Sequence, residues 1–212
     1  MIDSGATETV FIVEDDLSLR EGLCDLLDSA GLKTACFSKA EDFVESWAPE
    51  MAGCLLLDVR LPGMSGMEMQ TRMVELGIAL PIIFMTAHGD IPMVRKALKA
   101  GAVEFLTKPF NSQELLESVQ QAFARDRAIR RAESQLSTIQ ARFETLSERE
   151  RQVLQLVTAG LTNKEIGEQL HLSIVTIKLH RGQGMRKMQA ESLADLVKIW
   201  ERIHSADAHK DA

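Results

Sequence analysis

Short apolar runs that end in charged or hydroxyl residues recur through the first half of the chain, and they constrain its fold most. The clearest run covers residues 54–58 and ends in Asp58, with Gly53 before it and Pro62 and Gly63 beyond it. An apolar run of this length between turn residues is typical of a fully buried parallel strand. The carboxylate of Asp58 is therefore expected at the carboxyl edge of a sheet, where open α/β sheets bind their ligands.

Five such runs alternate with segments of helical periodicity. The predicted strands cover residues 10–13, 33–37, 54–58, 81–85 and 103–106, and the predicted helices lie between Leu19 and Gly31 and at about residues 39–47, 67–76 and 91–100. Strict alternation of strands and helices predicts a parallel sheet with right-handed crossovers. We therefore expect a doubly wound α/β domain.

Polar side chains follow four of these strands. They are Glu14, Asp15 and Asp16 after the first strand, Asp58 at the end of the third, Thr86 after the fourth and Lys108 after the fifth. Clustered carboxylates repel one another and call for a cation, and ligands that are all oxygens favour a hard ion such as Mg²⁺. A lysine and a hydroxyl beside that ion suit the distributed charge of a phosphoryl group, and a carboxylate can accept it covalently. Isolated acids at strand ends are commonly caps or solvated charges, but matched groups on four strands indicate phosphoryl transfer.

Residues 7–125 resemble the receiver domain of two-component response regulators, because the strand-end acids, Asp58, Thr86 and Lys108-Pro109 occur in the family's order. The resemblance implies a flavodoxin-like sheet of five strands in the order 2-1-3-4-5 and a cis Lys108–Pro109 bond. It also implies roles for individual residues. Asp58 would be the phosphoacceptor, Glu14, Asp15, Asp58 and the carbonyl of Arg60 would hold Mg²⁺, Thr86 and Lys108 would bind the phosphoryl group, and Phe105 would be the aromatic residue of the switch.

Alternatives stay open at two places in this domain. Asp16 is either an outer acid of the metal site or a solvated loop charge. Phe105 is either the switch aromatic, which turns inward as the threonine moves, or an ordinary core residue. The resemblance also implies a pairing face on the fifth strand and the helix that carries Met93, Val94 and Leu98.

Charge divides the chain into unlike halves. The whole chain has a net charge of −7, but the residues from 146 onward hold ten Lys or Arg and nine Asp or Glu. This asymmetry suggests two domains with different partners. No apolar stretch approaches the roughly eighteen residues that span a bilayer, and the amino terminus lacks the pattern of a signal peptide. Cys24, Cys36 and Cys54 lie in apolar patterns and are predicted to be buried free thiols, which suits a cytoplasmic protein.

A helical linker is predicted over residues 125–145, between a receiver domain at 1–124 and a last domain at 146–204. Its apolar residues are spaced by three and four positions, as in a coiled-coil seam: Ile129, Ala132, Leu136, Ile139, Phe143 and Leu146. The alternative is a helical connector that lies against one domain. Residues 205–212 are polar and are expected to be disordered.

The last domain is predicted to be all-α and to contain a helix-turn-helix. Ser147 and Glu150 fit a capping box at its first helix, and residues 171–173 form the turn before a third helix at about 174–188. That third helix holds four cations and no acid, which suits phosphates and base edges, although solvated basic faces are common. The cations are Lys178, Arg181, Arg186 and Lys187.

Two glycines lie in the middle of the third helix. Gly182 and Gly184 each cost about 1 kcal/mol relative to alanine in a helix. Either the helix packs or docks very closely at these positions, or it is loosened until DNA orders it.

Residues 146–200 resemble the LuxR-type DNA-binding domain through three motifs, at residues 147–150, 160–166 and 176–180. The resemblance implies that Lys164 and Thr176 contact backbone phosphates. It further implies that Lys178, Leu179, Arg181 and Gly182 face bases. With residues 88–93 and the residues around His180, the whole chain resembles the NarL/FixJ-type response regulators.

The sequence thus predicts a cytoplasmic transcription regulator that is not a turnover enzyme and has no membrane partner. A sensor histidine kinase would phosphorylate Asp58 in the presence of Mg²⁺, which would shift homodimerisation and let the helix-turn-helix bind double-stranded promoter DNA at paired half-sites. The alternative is a constitutive DNA-binding regulator whose receiver is a protein-interaction module. An enzyme of the flavodoxin-like class that binds nucleotides is disfavoured, because no Gly-rich phosphate loop follows the first strand.

Overall fold

The computed structural model describes residues 7–87 and 91–208. The chain divides into two compact units between Arg130 and Arg131, and each unit is described by itself. Residues 88–90, which carry part of the family resemblance, lie outside the described residues, as do residues 209–212 of the predicted tail. The side chain of Met93, on the predicted pairing face, is also outside the described part.

The first unit is a five-stranded parallel sheet with helices between the strands. Its elements are β1 (Thr9–Val13), α1 (Leu17–Ser29), β2 (Lys33–Phe37), α2 (Ala40–Ser46), β3 (Gly53–Asp58), α3 (Gly66–Glu75), β4 (Ile82–Thr86), α4 (Ile91–Lys99), β5 (Glu104–Thr107) and α5 (Ser112–Glu144). The strand order is β2-β1-β3-β4-β5, and every pairing is parallel. The predicted fold class and strand order are therefore confirmed. The Lys108–Pro109 bond is cis, as the resemblance implied.

The three central strands are buried along their whole length. Their side chains alternate between two apolar clusters, one on each face of the sheet. Phe11, Leu55, Leu57 and Phe84 belong to one cluster, and Ile12, Cys54, Leu56, Ile83 and Met85 belong to the other. Because helices cover both faces of the sheet, every residue of these strands is buried, and the sequence of each strand is a continuous apolar run. This pattern allowed the strands to be predicted.

The start of β3 is fastened to α5. Gly53 has a φ of 135°, and a Cβ at this position would lie 2.0 Å from the carbonyl oxygen of Thr9, so only glycine fits. The Gly53 N–H donates to Oδ2 of the buried Asp126 at 2.9 Å. The same oxygen accepts from Nε of Arg130 at 2.9 Å, and the guanidinium of Arg130 also donates to the carbonyl of Met51.

The cysteines depart from the prediction of three buried thiols. Cys24 on α1 and Cys36 on β2 are joined by a disulfide, and Cys36 is exposed. The reason is positional, since β2 is an edge strand whose residues lie beside α1. Cys54 on β3 is free and buried, as predicted, and burial raises the pKa of its thiol above the ordinary range.

α5 is one continuous helix that contributes to both units. In the first unit, Leu115 and Val119 lie in the apolar core. In the second unit, Ile139 is buried in a separate core and Phe143 packs against that core, with its ring 5.4 Å from the ring of Trp200. The predicted heptad positions thus pack within the chain at their carboxyl end, which favours the helix lying against one domain over the coiled-coil seam.

The second unit adds four helices after α5: α6 (Glu148–Thr158), α7 (Asn163–Leu170), α8 (Ile174–Met188) and α9 (Leu193–Ala208). Ser147 and Glu150 form the predicted capping box, and Thr162 with Glu165 forms a second one. His171 ends α7 in the left-handed conformation, and Ser173 caps α8, so α7, the turn and α8 make the expected helix-turn-helix. The prediction of disorder from residue 205 is wrong for residues 205–208, because α9 continues to Ala208.

Within the described residues, none of the helices combines the length and the apolar character needed to cross a bilayer.

Candidate functional site

Three carboxylates meet at the carboxyl edge of the sheet. Glu14 and Asp15 follow β1, and Asp58 ends the neighbouring strand β3, so the parallel register delivers them to the same place. Each offers an oxygen within 4.8 Å of the others. Glu14 is only 2% exposed and Asp58 only 7%, whereas Asp15 is exposed. The structure thus brings together the three predicted metal-ligating side chains.

Lys108 supplies the cation of this cluster. Its Nζ lies 2.7 Å from Oε2 of Glu14 and also donates to Oδ2 of Asp58. Burial raises the pKa of Glu14, partly offset by the hydrogen bond from Lys108. Burial by itself would lower the pKa of Lys108, but hydrogen bonds and charge from Asp58 and Glu14 outweigh it and raise the pKa. Lys108 therefore stays charged next to its carboxylates.

The donor set fits a hard divalent cation. One lysine charge cannot balance three ionised carboxylates, and the available oxygens are the ligands that Mg²⁺ prefers. Arg60 lies at the site through its backbone, because its N–H donates to Oδ1 of Asp58 at 2.8 Å. The ligand role of the Arg60 carbonyl stays a prediction.

Thr86 lies on β4, which pairs with β3, and Phe105 lies on β5, which pairs with β4. The alternation of strands and helices in the sequence predicted these positions. Thr86 ends β4, is 1% exposed, and its carbonyl accepts the backbone N–H of Lys108 at 2.7 Å. Phe105 on β5 lies beside Phe84 of β4, with 5.9 Å between ring centroids, and it is half-buried. Its packing on the core accords with either reading of Phe105, and the switch role stays a prediction.

Three supporting contacts around the acids were not anticipated. Asp16 caps α1 by accepting the N–H of Leu19 at 3.0 Å, which gives this acid a local structural role. Arg20, one turn along α1, donates to the carbonyl of Glu14 at 2.6 Å and so holds the loop after β1. A Cβ on Gly66 would lie 2.3 Å from the carbonyl oxygen of Asp58, so this glycine lets α3 begin against the backbone of Asp58.

A second candidate site lies on α8. Its buried face is formed by Ile177, Gly184 and Met188. The opposite face carries Val175, Lys178, Leu179, Gly182 and Arg186, which are all exposed and recur at helical spacing. The helix therefore presents an open surface in which apolar and cationic side chains are mixed.

The predicted DNA-contacting residues fall into two groups. Lys178, Leu179 and Gly182 lie on the open face of α8. The other three make contacts within the second unit: Lys164 is 4.0 Å from Glu168, the hydroxyl of Thr176 is 2.8 Å from that of Ser173, and Arg181 donates to Oδ1 of Asn163 at 3.1 Å. The Arg181 contact ties α8 to α7 across the helix-turn-helix.

Lys187, one of the four cations noted on α8, has a structural role. Its Nζ donates to Oε2 of the buried Glu150 at 2.6 Å and to the carbonyl of Thr145 at 3.0 Å. Burial alone would raise the pKa of Glu150, but hydrogen bonds from Lys187 and Ser147 outweigh it and lower the pKa. Lys187 thus fastens α8 to the capping box of α6. The charge of Lys187 is therefore paired within the second unit, and the open face of α8 carries fewer cations than the sequence of the helix suggests.

The two glycines of α8 differ in their surroundings. A Cβ on Gly184 would lie 2.9 Å from Cδ1 of the buried Leu154, so α8 packs closely on α6 at this position. A Cβ on Gly182 would meet no atom within 4 Å. Close packing therefore accounts for Gly184 and not for Gly182.

Two family models match the chain. The response regulator receiver domain matches residues 10–120, and the family described as bacterial regulatory proteins, luxR family, matches residues 144–200. The first match covers the acidic cluster and Lys108, and the second covers the helix-turn-helix.

Similar proteins match along nearly the whole chain. Nodulation protein W of Bradyrhizobium diazoefficiens is 47% identical over 95% of this chain and 89% of its own length. The transcriptional regulatory protein FixJ of the same organism is 39% identical over 90% of this chain and 93% of its own. Among solved structures, the response regulator StyR is 46% identical with a TM-score of 0.80, covering 92% of this chain and 99% of that one.

Proposed function

The chain belongs to the NarL/FixJ-type two-component response regulators, and from this membership we propose that phosphorylation of Asp58 controls its action as a transcriptional regulator. The observation that carries the proposal is the arrangement of Lys108. This lysine bonds both Asp58 and Glu14 at the edge where Asp15 offers a third carboxylate oxygen.

Asp58 has the geometry of a covalent acceptor. Its carboxylate is held by the Arg60 N–H on one oxygen and by Lys108 on the other, so its orientation is fixed before any donor arrives. An Asp58 oxygen forms the new O–P bond while the bond from phosphorus to the nitrogen of the kinase phosphohistidine breaks. The phosphoryl group stays on this chain, so no external substrate is turned over.

The neighbouring residues stabilise the transferred charge. Receiver domains bind Mg²⁺ at their acidic pocket, and here Glu14, Asp15, Asp58 and the carbonyl of Arg60 would hold the ion, which would neutralise charge on the phosphoryl oxygens. Lys108, already at Asp58, neutralises a further part of this charge. The hydroxyl of Thr86, at the end of the adjacent strand, donates to a phosphoryl oxygen.

The switch connects this chemistry to DNA. Movement of Thr86 toward the phosphoryl group opens space for Phe105 to turn inward and changes the surface of β5 and α4, where a second copy pairs. A homodimer then places two α8 helices on paired half-sites of double-stranded promoter DNA. In this proposal the protein acts in the cytoplasm, where a sensor histidine kinase supplies the phosphoryl group.

The test begins with mass analysis of the full chain after treatment with acetyl phosphate and Mg²⁺. We expect a single phosphoryl adduct on the wild type and on Asp25→Asn, which removes an exposed acid of α1, but none on Asp58→Asn. Sedimentation velocity of the same samples should show a shift from monomer to dimer only where the adduct forms.

Two results would count against the proposal. A wild type without an adduct, or an Asp58→Asn variant that still carries one, removes Asp58 as the acceptor. DNA binding that is equal with and without the adduct supports a constitutive regulator whose receiver is a protein-interaction module.

A further inference from the structure

The most exposed large apolar side chain among the described residues is on α8. Val175 is 78% exposed, and Leu179, one turn along the helix, is 54% exposed. Ile174 beside them is 47% exposed. These three large apolar side chains lie on the first two turns of one helix, and we call them the α8 apolar patch.

Packing does not account for the α8 apolar patch. The core of the second unit takes Ile177 and Met188 from the other side of α8, and neither Val175 nor Leu179 belongs to that core. Helix propensity does not account for Val175 either, because a β-branched side chain loses rotational freedom in a helix and so disfavours it slightly. The exposure of the patch is therefore better explained by binding of a ligand than by a contribution to folding.

The surroundings of the patch identify the chemistry of that ligand. Lys178 lies beside Val175 and Leu179 on the same open face and is exposed, and α8 contains no acid. A surface that joins an apolar patch to a cation suits a polyanion that also carries apolar groups. In the major groove of DNA, the 5-methyl group of thymine is the apolar group on the base edges.

The position of the patch within the helix agrees with this ligand. Val175 is the second residue of α8 and directly follows the capping residue Ser173 and Ile174. In helix-turn-helix proteins, the amino-terminal residues of the second helix contact base edges. Gly182, one turn beyond Leu179 on the open face, adds no side chain that would hold the helix away from the groove.

We propose that Val175, together with Leu179, determines sequence specificity by contacting thymine methyl groups in the major groove. The inference rests on the proposed DNA binding by α8 and names the base feature that the helix reads. Lys178 would contact the DNA beside these methyl groups and contribute affinity.

The test compares thymine with uracil, which lacks only the 5-methyl group. Full-length protein treated with acetyl phosphate and Mg²⁺ first selects duplexes from a pool with a randomised centre. The selected duplex is then made again with deoxyuridine in place of thymidine, one position at a time, and binding is measured by fluorescence anisotropy at one fixed salt concentration. We expect at least one position per half-site at which the wild type binds about fourfold more weakly, as burial of one methyl-sized group implies.

Variants assign the effect to the patch. Val175→Ala should weaken binding to the thymine duplex by a similar factor and should no longer distinguish uracil at the sensitive position. Val175→Thr, which keeps the shape but replaces one methyl by a hydroxyl, should lose part of the discrimination. Leu193→Ala, which truncates an apolar side chain of α9 that is 43% exposed, should discriminate as the wild type does.

Other outcomes overturn the inference in distinguishable ways. Equal binding of thymine and uracil duplexes by the wild type, or unchanged discrimination by Val175→Ala, removes the thymine contact but leaves DNA binding intact. Unchanged DNA binding by Val175→Ala with an altered sedimentation coefficient would make the patch a contact between protein chains. Failure of the phosphorylated wild type to select any duplex removes DNA binding itself, and the inference with it.

Discussion

Oδ2 of Asp126 lies 2.9 Å from the backbone nitrogen of Gly53, across a separation of 73 residues in the chain. Asp126 is 3% exposed, and the same oxygen accepts from Nε of Arg130. One buried carboxylate oxygen thus accepts hydrogen bonds from two donors, one at the start of β3 and one on α5. This contact fastens α5 to the start of β3 within the first unit.

Replacing Asp126 by alanine should therefore destabilise the first unit. The change leaves the buried N–H of Gly53 without its acceptor and separates Arg130 from its partner, which costs about 1–3 kcal/mol. Urea unfolding followed by the fluorescence of Trp47, in a Trp200→Phe background, measures this loss. Glu133→Ala, which removes an exposed acid farther along α5, should change the free energy of unfolding by less than about 0.5 kcal/mol. Equal stability of the two variants would contradict the role of Asp126.

The glycines of α8 should respond in opposite directions to alanine. Gly182→Ala meets no neighbouring atom and should stabilise the second unit by about 1 kcal/mol through helix propensity. Gly184→Ala places a methyl group against the buried Leu154, and the cost of overpacking, about 1–3 kcal/mol, should exceed that gain. Thermal unfolding followed by Trp200 fluorescence compares them. A fall in the melting temperature of Gly182→Ala would show that this glycine is needed for backbone shape.

Removal of the lysine charge should strengthen binding of a divalent cation. Lys108 bonds two of the three candidate ligands, so Lys108→Met leaves Glu14, Asp15 and Asp58 without their resident cation. A unit charge at this distance is worth on the order of 1–4 kcal/mol between bulk water and a protein surface, so the dissociation constant for Mg²⁺ should fall about fivefold or more. Isothermal titration calorimetry with MgCl₂ provides the measurement, and Lys99→Met, at an exposed position on α4, is the matched control. Unchanged or weaker binding by Lys108→Met would place the cation elsewhere.

Phe143, near the end of α5, should stabilise the second unit of its own chain and should not form a contact with a second chain. Phe143 packs against Trp200 and lies under the guanidinium of Arg151, which is 4.4 Å from the ring centroid. Phe143→Ala should therefore lower the free energy of unfolding of this unit by about 3 kcal/mol, the lower end of the range for truncation of a core aromatic residue, because Phe143 is only partly buried. Its sedimentation coefficient should match that of the wild type.

Leu136→Ala separates the two readings of the linker. Leu136 occupies the same predicted seam but lies seven residues before Phe143, where the helix is more open. A coiled coil would lose dimer population in both variants, whereas packing within the chain predicts a stability loss mainly in Phe143→Ala. Dimer dissociation by either variant would restore the coiled-coil interpretation.

The candidate phosphoryl-transfer site could be predicted because it depends on topology more than on packing detail. Once five strands alternate with helices, the carboxyl ends of β1, β3, β4 and β5 must meet at one edge. Glu14, Asp58, Thr86 and Lys108 were therefore placed together by their order in the chain. The cap of α6 was predictable for a similar reason, since a capping box is a local pattern.

Contacts between distant residues without a periodic pattern could not be predicted. Asp126 lies among arginines on a helix and looks like an ordinary solvated charge until β3 is folded against it. The disulfide between Cys24 and Cys36 depends on how α1 lies over the edge strand β2. Lys187 looked like part of a basic face because its partner, Glu150, had already been assigned to a capping box.

β3 is anchored at both of its ends. Asp126 holds the backbone of Gly53 at the start of the strand, and Lys108 and the Arg60 N–H hold the carboxylate of Asp58 at its finish. Sliding of β3 along its own axis would break these hydrogen bonds together. If Asp58 is phosphorylated as proposed, β3 would therefore keep its place, and the response would fall to β4 and β5, which carry Thr86 and Phe105.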